Sequence, residues 1–243
     1  MVKNNIVLMS GKGQRFKDEG YKDPKPLISL EGKTIIEKVI NNFPHTDKWI
    51  FTVNKEVYDH EIFINFYEKF NSNKTILLLD EVTNGQATSC FKSLDLVPDG
   101  EDFFVGSCDA IFKNKIILDK RSKVDGLVFT TYPKSEHKEN GNNYGWVVGE
   151  KKVKNVLCKK TPDRINDSYL IAGSFYFKNK SFFQNIYKQM VENKMFVNNE
   201  LYIDTMFEII HNKNYNLENF LTEIDIIGTP QEYVSYSEGL TND

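Results

Sequence analysis

Ile6-Val7-Leu8-Met9-Ser10-Gly11-Lys12-Gly13-Gln14-Arg15-Phe16, followed after a short spacer by Pro24-Lys25-Pro26-Leu27, is the stretch that decides the reading of this chain. Ile6 to Met9 form an apolar run of strand length, and Ser10 to Gly13 leave it as a loop with little side-chain bulk. Backbone N–H groups exposed in such a turn make a concavity that binds phosphate. Arg15 follows at once, and Lys25 stands between two prolines that restrict its backbone. A dinucleotide fingerprint would need a third glycine where Phe16 stands. A Walker A loop needs a longer span between its glycines and a closing Gly-Lys-Ser/Thr, and a protein kinase needs H-R-D and D-F-G downstream; neither set is present. Glycines alone would also suit a plain strand–turn–helix unit. The arginine and the framed lysine turn the reading toward a nucleoside triphosphate.

Working outward, the 243 residues suffice for one α/β domain with a substantial core. Hydrophobic residues make up 40%, which marks a globular chain, and a net charge of −3 argues against a broad nucleic-acid surface. No apolar run reaches the ~18 residues of a membrane span, and the N-terminus lacks the apolar core of a signal peptide. Cys90, Cys108 and Cys158 are widely spaced and odd in number, which suits a reducing cytoplasm rather than a disulfide framework. Cys108 reads as a small buried strand residue. His45, His60, His137 and His211 show no metal spacing and are assigned to no site. A homodimer is compatible with the chain. The ending Tyr-Ser-Glu-Gly-Leu-Thr-Asn-Asp shows no terminal element, and the sequence is compatible with a piece cut from a longer polypeptide.

Apolar runs alternate with helical patterns through the first half. Strands are expected at 6–9, 49–53, 75–79 and 102–106, with helices around 34–42, 61–71 and from 87 onward. Alternation of this kind implies right-handed crossovers and a mainly parallel sheet. After residue 125 strand-like runs crowd together at 126–132, 145–148, 153–158 and 172–177, with Glu150-Lys151-Lys152 as a hairpin turn. Lys134 to Asn143 reads as a mobile polar loop, helices follow at 181–193 and 201–211, and a strand near 222–227 closes the core. The expectation is one domain over 1–243, with a nucleotide half of about 1–125 and an acceptor half of about 126–243.

Ser10-Gly11-Lys12-Gly13-Gln14-Arg15-Phe16 with Pro24-Lys25-Pro26-Leu27 resembles the opening motif of the sugar-phosphate nucleotidylyltransferases, G-G-x-G-T-R-L followed by P-K-P-L. The resemblance continues through Gly85-Gln86-Ala87, Ser107-Cys108-Asp109, Gly145, Gly173-Ser174-Phe175-Tyr176-Phe177 and Gly228-Thr229-Pro230, in family order over almost the whole chain. The spacer and the late Asn-Asn-Glu-Leu-Tyr-Ile-Asp look closest to enzymes of bacterial capsule loci, cytidylyltransferases among them. The resemblance implies a Rossmann-like, GT-A-like α/β fold: a mixed, mostly parallel central sheet flanked by helices, with a smaller acceptor-binding lobe. It implies that a sugar or polyol phosphate attacks the α-phosphorus of a nucleoside triphosphate, with CTP favoured over UTP, releasing pyrophosphate for surface polysaccharide synthesis.

On that resemblance Arg15 holds the departing phosphates and Lys25 faces the α-phosphate, where charge builds in the transition state. Leu8, Ser10, Gly11, Lys12, Gly13, Gly85 and Gln86 line the nucleotide site, the Gln86 amide being able to pair with a base edge. Asp109, at the carboxyl end of a central strand, is the candidate Mg²⁺ ligand, and Asp225 the second. Asp225 stands one residue farther from Gly228 than the family's Asp-x-Gly-Thr-Pro requires. For the acceptor the match gives Tyr144, Gly145, Lys160 (or Lys159), Gly173 and Glu200, with Asp204 one helical turn after Glu200. Cys158-Lys159-Lys160 replaces the usual Glu-Lys-Pro, and loss of that glutamate points to a polyol phosphate rather than an ordinary hexose. Two rivals stay open: a glycosyltransferase on the same core, usually marked by Asp-x-Asp where Ser107-Cys108-Asp109 stands, and a non-catalytic nucleotide-sensing module.

Overall fold

A computed structural model describes residues 1–118, 123–150 and 152–240. The first strand, β1 (Val2–Met9), is buried along almost its whole length, as a central strand covered on both faces must be. Its side chains alternate: Val7 and Met9 enter one apolar core, Ile6 and Leu8 the other. The short helix α1 (Gln14–Asp18) follows the glycine loop. Phe16 anchors it, edge-on to Tyr21 at 5.2 Å and Tyr233 at 6.3 Å between ring centres. That ring occupies the place where a dinucleotide fold would put its third glycine.

A small ribbon, β2 (Ser29–Leu30) and β3 (Lys33–Thr34), leads into α2 (Ile35–Asn41). Thr34 and Glu37 form a reciprocal capping box there: the Glu37 N–H donates to Thr34 Oγ1 at 3.3 Å, and the Thr34 N–H to Glu37 Oε2 at 2.7 Å. Then come β4 (Thr46–Asn54), α3 (Lys55–Tyr58), α4 (Glu61–Lys69), β5 (Lys74–Leu79), α5 (Gln86–Ser93) and β6 (Phe103–Ser107). Strands β6, β1, β4 and β5 lie side by side and parallel.

The second half is mixed. It comprises β7 (Ala110–Phe112), β8 (Gly126–Thr131), α6 (Ser135–Glu139), β9 (Trp146–Val148), β10 (Asn155–Leu157) and β11 (Ser168–Phe177), then α7 (Lys180–Glu192), α8 (Ile203–Asn212), β12 (Leu217–Leu221), β13 (Ile224–Ile226) and α9 (Pro230–Leu240). The long β11 runs antiparallel to β6 and pairs with both β8 and β9, so it joins the parallel half to the rest. Its register breaks between Ile171 and Phe175, and the bulge carries Gly173. The expected α/β architecture, a mixed sheet with a parallel run of β6, β1, β4 and β5 and with helices on both sides, is what the chain adopts.

Three expectations need correction. The stretch 134–143 is not a mobile loop but holds α6 and a turn at Gly141–Asn143, because His137 is buried and its Nδ1 accepts the Lys134 N–H at 3.1 Å. The C-terminal stretch is helical as far as Leu240, since α9 packs Tyr233 and Tyr236 against the core. The closing strand is two strands, β12 on the main sheet and β13 on β7. Of the hairpin turn between β9 and β10, Lys151 lies outside the described residues.

Candidate active site

The carboxyl ends of β1 and β6, the bulge of β11 and the start of α5 open on one cleft of about 870 Å³. Ligands collect at this end of an open α/β sheet because the strands stop there and the crossover loops diverge. Leu8, Ser10, Gly11, Lys12 and Gly13 line one wall together with Arg15. Gly13 caps α1 in the left-handed conformation (φ 61°) and packs against Lys25. Arg15 and Lys12 are exposed at the rim of the cleft.

Lys25 lies in the turn Lys25–Leu27, and its Nζ donates to Asp109 Oδ2 at 2.5 Å. Only 15% of the Lys25 side chain and 24% of the Asp109 side chain are exposed. Burial alone would lower the lysine value, but the adjacent carboxylate outweighs it and holds the ammonium above its ordinary range. For Asp109 burial works upward, yet Lys25 and a Ser107 hydrogen bond keep its carboxyl below the ordinary range. Both groups are therefore charged at neutral pH. Burial pushes the Cys108 thiol up to about 11, so it is protonated, but it is half-buried in the turn after β6 and not the buried strand residue expected from the sequence.

Gly85 and Gln86 enter the cleft from the other side. Gly85 has φ +124°, and a Cβ there would lie 2.5 Å from the Leu201 carbonyl oxygen. That carbonyl accepts the Ala87 N–H at 2.9 Å, while the Leu201 N–H donates to Asn84 O at 2.7 Å. The loop assigned to the base is thus bonded, backbone to backbone, to the segment that carries Glu200. Gln86 Nε2 reaches Gly173 O at 3.5 Å.

Tyr144, Gly145, Gly173 and Glu200 all line the cleft, together with Asn198, Asn199, Tyr202 and Asp204. Lys160 does not: it is exposed and outside the cleft, and its neighbour Lys159 takes the place. Lys159 adopts φ +51°, and its ammonium sits 5.4 Å from the centre of the Tyr202 ring and bonds Asn143 O. Asp225 is also corrected. Along β13 successive side chains face opposite ways, and Ile226 faces the cleft while Asp225 pairs with Lys113 at 2.6 Å and with Lys134 at 3.5 Å. The extra residue before Gly228 has rotated that carboxylate out of the site.

One cleft residue, Glu232, was not singled out from the sequence as part of the site. Glu232 sits in the first turn of α9, where its Oε2 accepts the Thr229 N–H at 2.8 Å and its Oε1 accepts the Tyr144 hydroxyl at 2.9 Å. Burial raises its carboxyl, but His137, Tyr144 and Thr229 outweigh that and hold it below the ordinary glutamate range. Tyr144 is correspondingly raised well above an ordinary phenol, by burial and by the Glu232 charge. The Thr229–Glu232 spacing is a capping box and is legible as such; its contact with Tyr144, 88 residues away, is not.

Among the described residues no three His, Cys, Asp or Glu side chains come together as a metal cluster. Mg²⁺ takes one or two carboxylates and fills its remaining positions with phosphate oxygens and water, so a lone Asp109 fits a metal that arrives on a triphosphate. Asp109 Oδ2 and Glu232 Oε2 each lie 3.4 Å from the point a Cβ on Gly228 would occupy, so that glycine keeps the acidic floor open.

Residues 4–243 match the model of the nucleotidyl transferase family, and the chain belongs to that family. Among curated proteins it is similar to the bifunctional protein GlmU of Methanococcus aeolicus, 25% identical over 177 residues, and of Methanococcus maripaludis strain C5, 29% over 188 residues. Each alignment covers 73% of this chain and 40% of the relative, so the chain spans well under half of those proteins. In fold it is similar to a nucleoside-diphosphate-sugar pyrophosphorylase from Vibrio cholerae (TM-score 0.80, 23% identity, 96% of this chain and 99% of the other). It is also similar to an inositol-1-phosphate CTP transferase from T. maritima (TM-score 0.72, 16% identity, 99% and 95%). No described helix is long and apolar enough to cross a membrane.

Proposed function

We propose that this nucleotidyl transferase joins a nucleoside triphosphate to a sugar phosphate or polyol phosphate, giving a nucleoside-diphosphate product and pyrophosphate. A phosphate oxygen of the acceptor attacks the α-phosphorus, the bond from that phosphorus to the bridging oxygen of the β-phosphate breaks, and pyrophosphate leaves with the electron pair. Both reactants are anions, so neutralisation and alignment do the catalytic work. Lys25 is the cation of the α-phosphate, because it is anchored by Asp109 at 2.5 Å beneath the glycine loop. This pair is the observation that carries the reading. Arg15 and Lys12, exposed at the rim, take the departing phosphates. Asp109 would hold Mg²⁺, which supplies further neutralisation of phosphate charge when bound.

CTP is the favoured nucleotide and UTP the next. The look of capsule-locus enzymes supports that order, and the similar T. maritima fold belongs to a CTP transferase. A product for capsule or other surface polysaccharide fits the same look. Pyrophosphate release with Mg²⁺, crossing CTP, UTP, GTP, ATP and dTTP against sugar and polyol phosphates, tests the proposal. The expected outcome is release with one pair, lost in Lys25→Ala and Asp109→Ala. Tight nucleotide binding with no release from any pair would return the glycosyltransferase and sensing readings.

A further inference from the structure

Asp204 stands in the first turn of α8, and its carboxylate reaches the cleft wall although only 7% of the residue is exposed. Its position depends on Gly145: a Cβ on that residue would lie 2.0 Å from Asp204 Oδ2. Among the described residues no cation is within salt-bridge distance of this carboxylate, and the cation that bears on it is Lys159. Burying a carboxylate without a partner is costly, and a group kept in that state against a cleft is one whose acceptor capacity is left for a ligand. Desolvation pushes its carboxyl up to about 6, which agrees with that geometry.

The neighbours define the ligand. The Lys159 ammonium lies between the Tyr202 ring and Asn143 on the same wall, and it is the cation that bears on Asp204. A phosphate would be drawn to Lys159, whereas an ammonium-bearing ligand would meet its repulsion. A carboxylate offers several lone-pair sites and takes neutral hydroxyl donors well. Building on the transferase reading above, we infer that Asp204, exposed to the cleft by Gly145, takes hydroxyls on the carbon body of a phosphorylated polyhydroxyl acceptor whose phosphate lies toward Lys159. Asp204 is thus a specificity-determining residue for the acceptor and not for the nucleotide.

Calorimetric titration of wild type, Asp204→Asn and Asp204→Ala with ribitol 5-phosphate, glucose 1-phosphate, phosphocholine and CTP tests this. Wild type should bind a polyhydroxyl phosphate, and both variants should lose about tenfold or more of that affinity, as expected for hydrogen bonds to a charged group. CTP affinity should stay within about twofold, which also reports that each variant is folded. Equal binding of the polyhydroxyl phosphate by wild type and both variants overturns the inference. So does tighter binding of phosphocholine than of either polyhydroxyl phosphate, or binding of CTP alone. A wild type that binds both substrates yet releases no pyrophosphate overturns the transferase reading and leaves the assignment of Asp204 standing.

Discussion

The two walls of the cleft are built by opposite means. The wall we propose for the nucleotide is backbone and rim: the glycine loop after β1, exposed Lys12 and Arg15, and one buried ion pair, Lys25 with Asp109. The wall we propose for the acceptor is side chains gathered from far apart and largely buried: Tyr144 on Glu232, His137 behind them, and Asp204 against Gly145. A triphosphate is the same in every nucleotide, so main-chain amides and a few cations suffice for it. An acceptor is recognised by the placement of its hydroxyls, and only side chains held by their own packing can match that.

Removing Lys25 should break this comparison most deeply, because it is a cation held largely buried beneath the glycine loop, where Lys12 and Arg15 are exposed. For Lys25→Ala we expect kcat to fall ~10²–10³-fold, with a smaller change in the KM for nucleotide. Steady-state pyrophosphate release checks it. A KM-only defect would move Lys25 from the transition state to ground-state binding.

On the acceptor wall Gly145→Ala asks whether a close approach matters as much as a charge. The added methyl would lie 2.0 Å from Asp204 Oδ2, so the carboxylate or the β9 entry must move. Overpacking of this kind costs ~1–3 kcal/mol, readable as a lower Tm, and the KM for acceptor should rise while that for nucleotide holds. An unchanged KM for acceptor would show that the wall tolerates displacement of Asp204.

The same carboxylate gives the acceptor wall a pH signature. Its surroundings include Lys159, Cys158, Glu200, Tyr202 and Glu208, but desolvation dominates and its value in the fold is about 6. Unfolded, an aspartate titrates near ~3.9, so the fold binds this proton more tightly than the unfolded chain does. The fold has its full advantage below both values and loses stability as pH rises through about 6, by on the order of 3 kcal/mol. Asp204→Asn should abolish that loss. Melting both proteins at pH 4.5 and 7.5, after subtracting the shared background, measures it; parallel pH curves would mean that the carboxylate is solvated after all.

How much of this was legible differs between the walls for the same reason that their chemistry differs. Glycine at Gly13, the framed Lys25 and Asp109 at the end of β6 answer local demands of backbone and strand end, and local demands leave marks within a few residues. Strand and helix positions in the parallel half were likewise readable from apolar period. The stretch 134–143 was not, because its polar residues fold only when His137 is buried from outside the segment. Lys159 and Lys160 could not be told apart, since the positive φ of Lys159 that turns it inward is a property of the bend and not of either lysine. Tyr144 and Glu232 meet across 88 residues, a distance at which spacing carries no information.

The smallest expected effect sharpens the comparison at its boundary. Asp225 carries a motif-like position, yet β13 turns Ile226 and not Asp225 toward the cleft, and the aspartate is tied to Lys113 at 2.6 Å. If placement rather than motif decides function, Asp225→Asn should leave kcat and the Mg²⁺ dependence of the reaction within about twofold. Its partner Lys113 has a side chain 46% exposed, so the stability cost should be ~1 kcal/mol or less. A Mg²⁺ titration of both proteins reads this directly. A shift of tenfold or more in the metal requirement would mean that β13 reverses its facing when substrates bind, and that the one-residue insertion is absorbed rather than expressed.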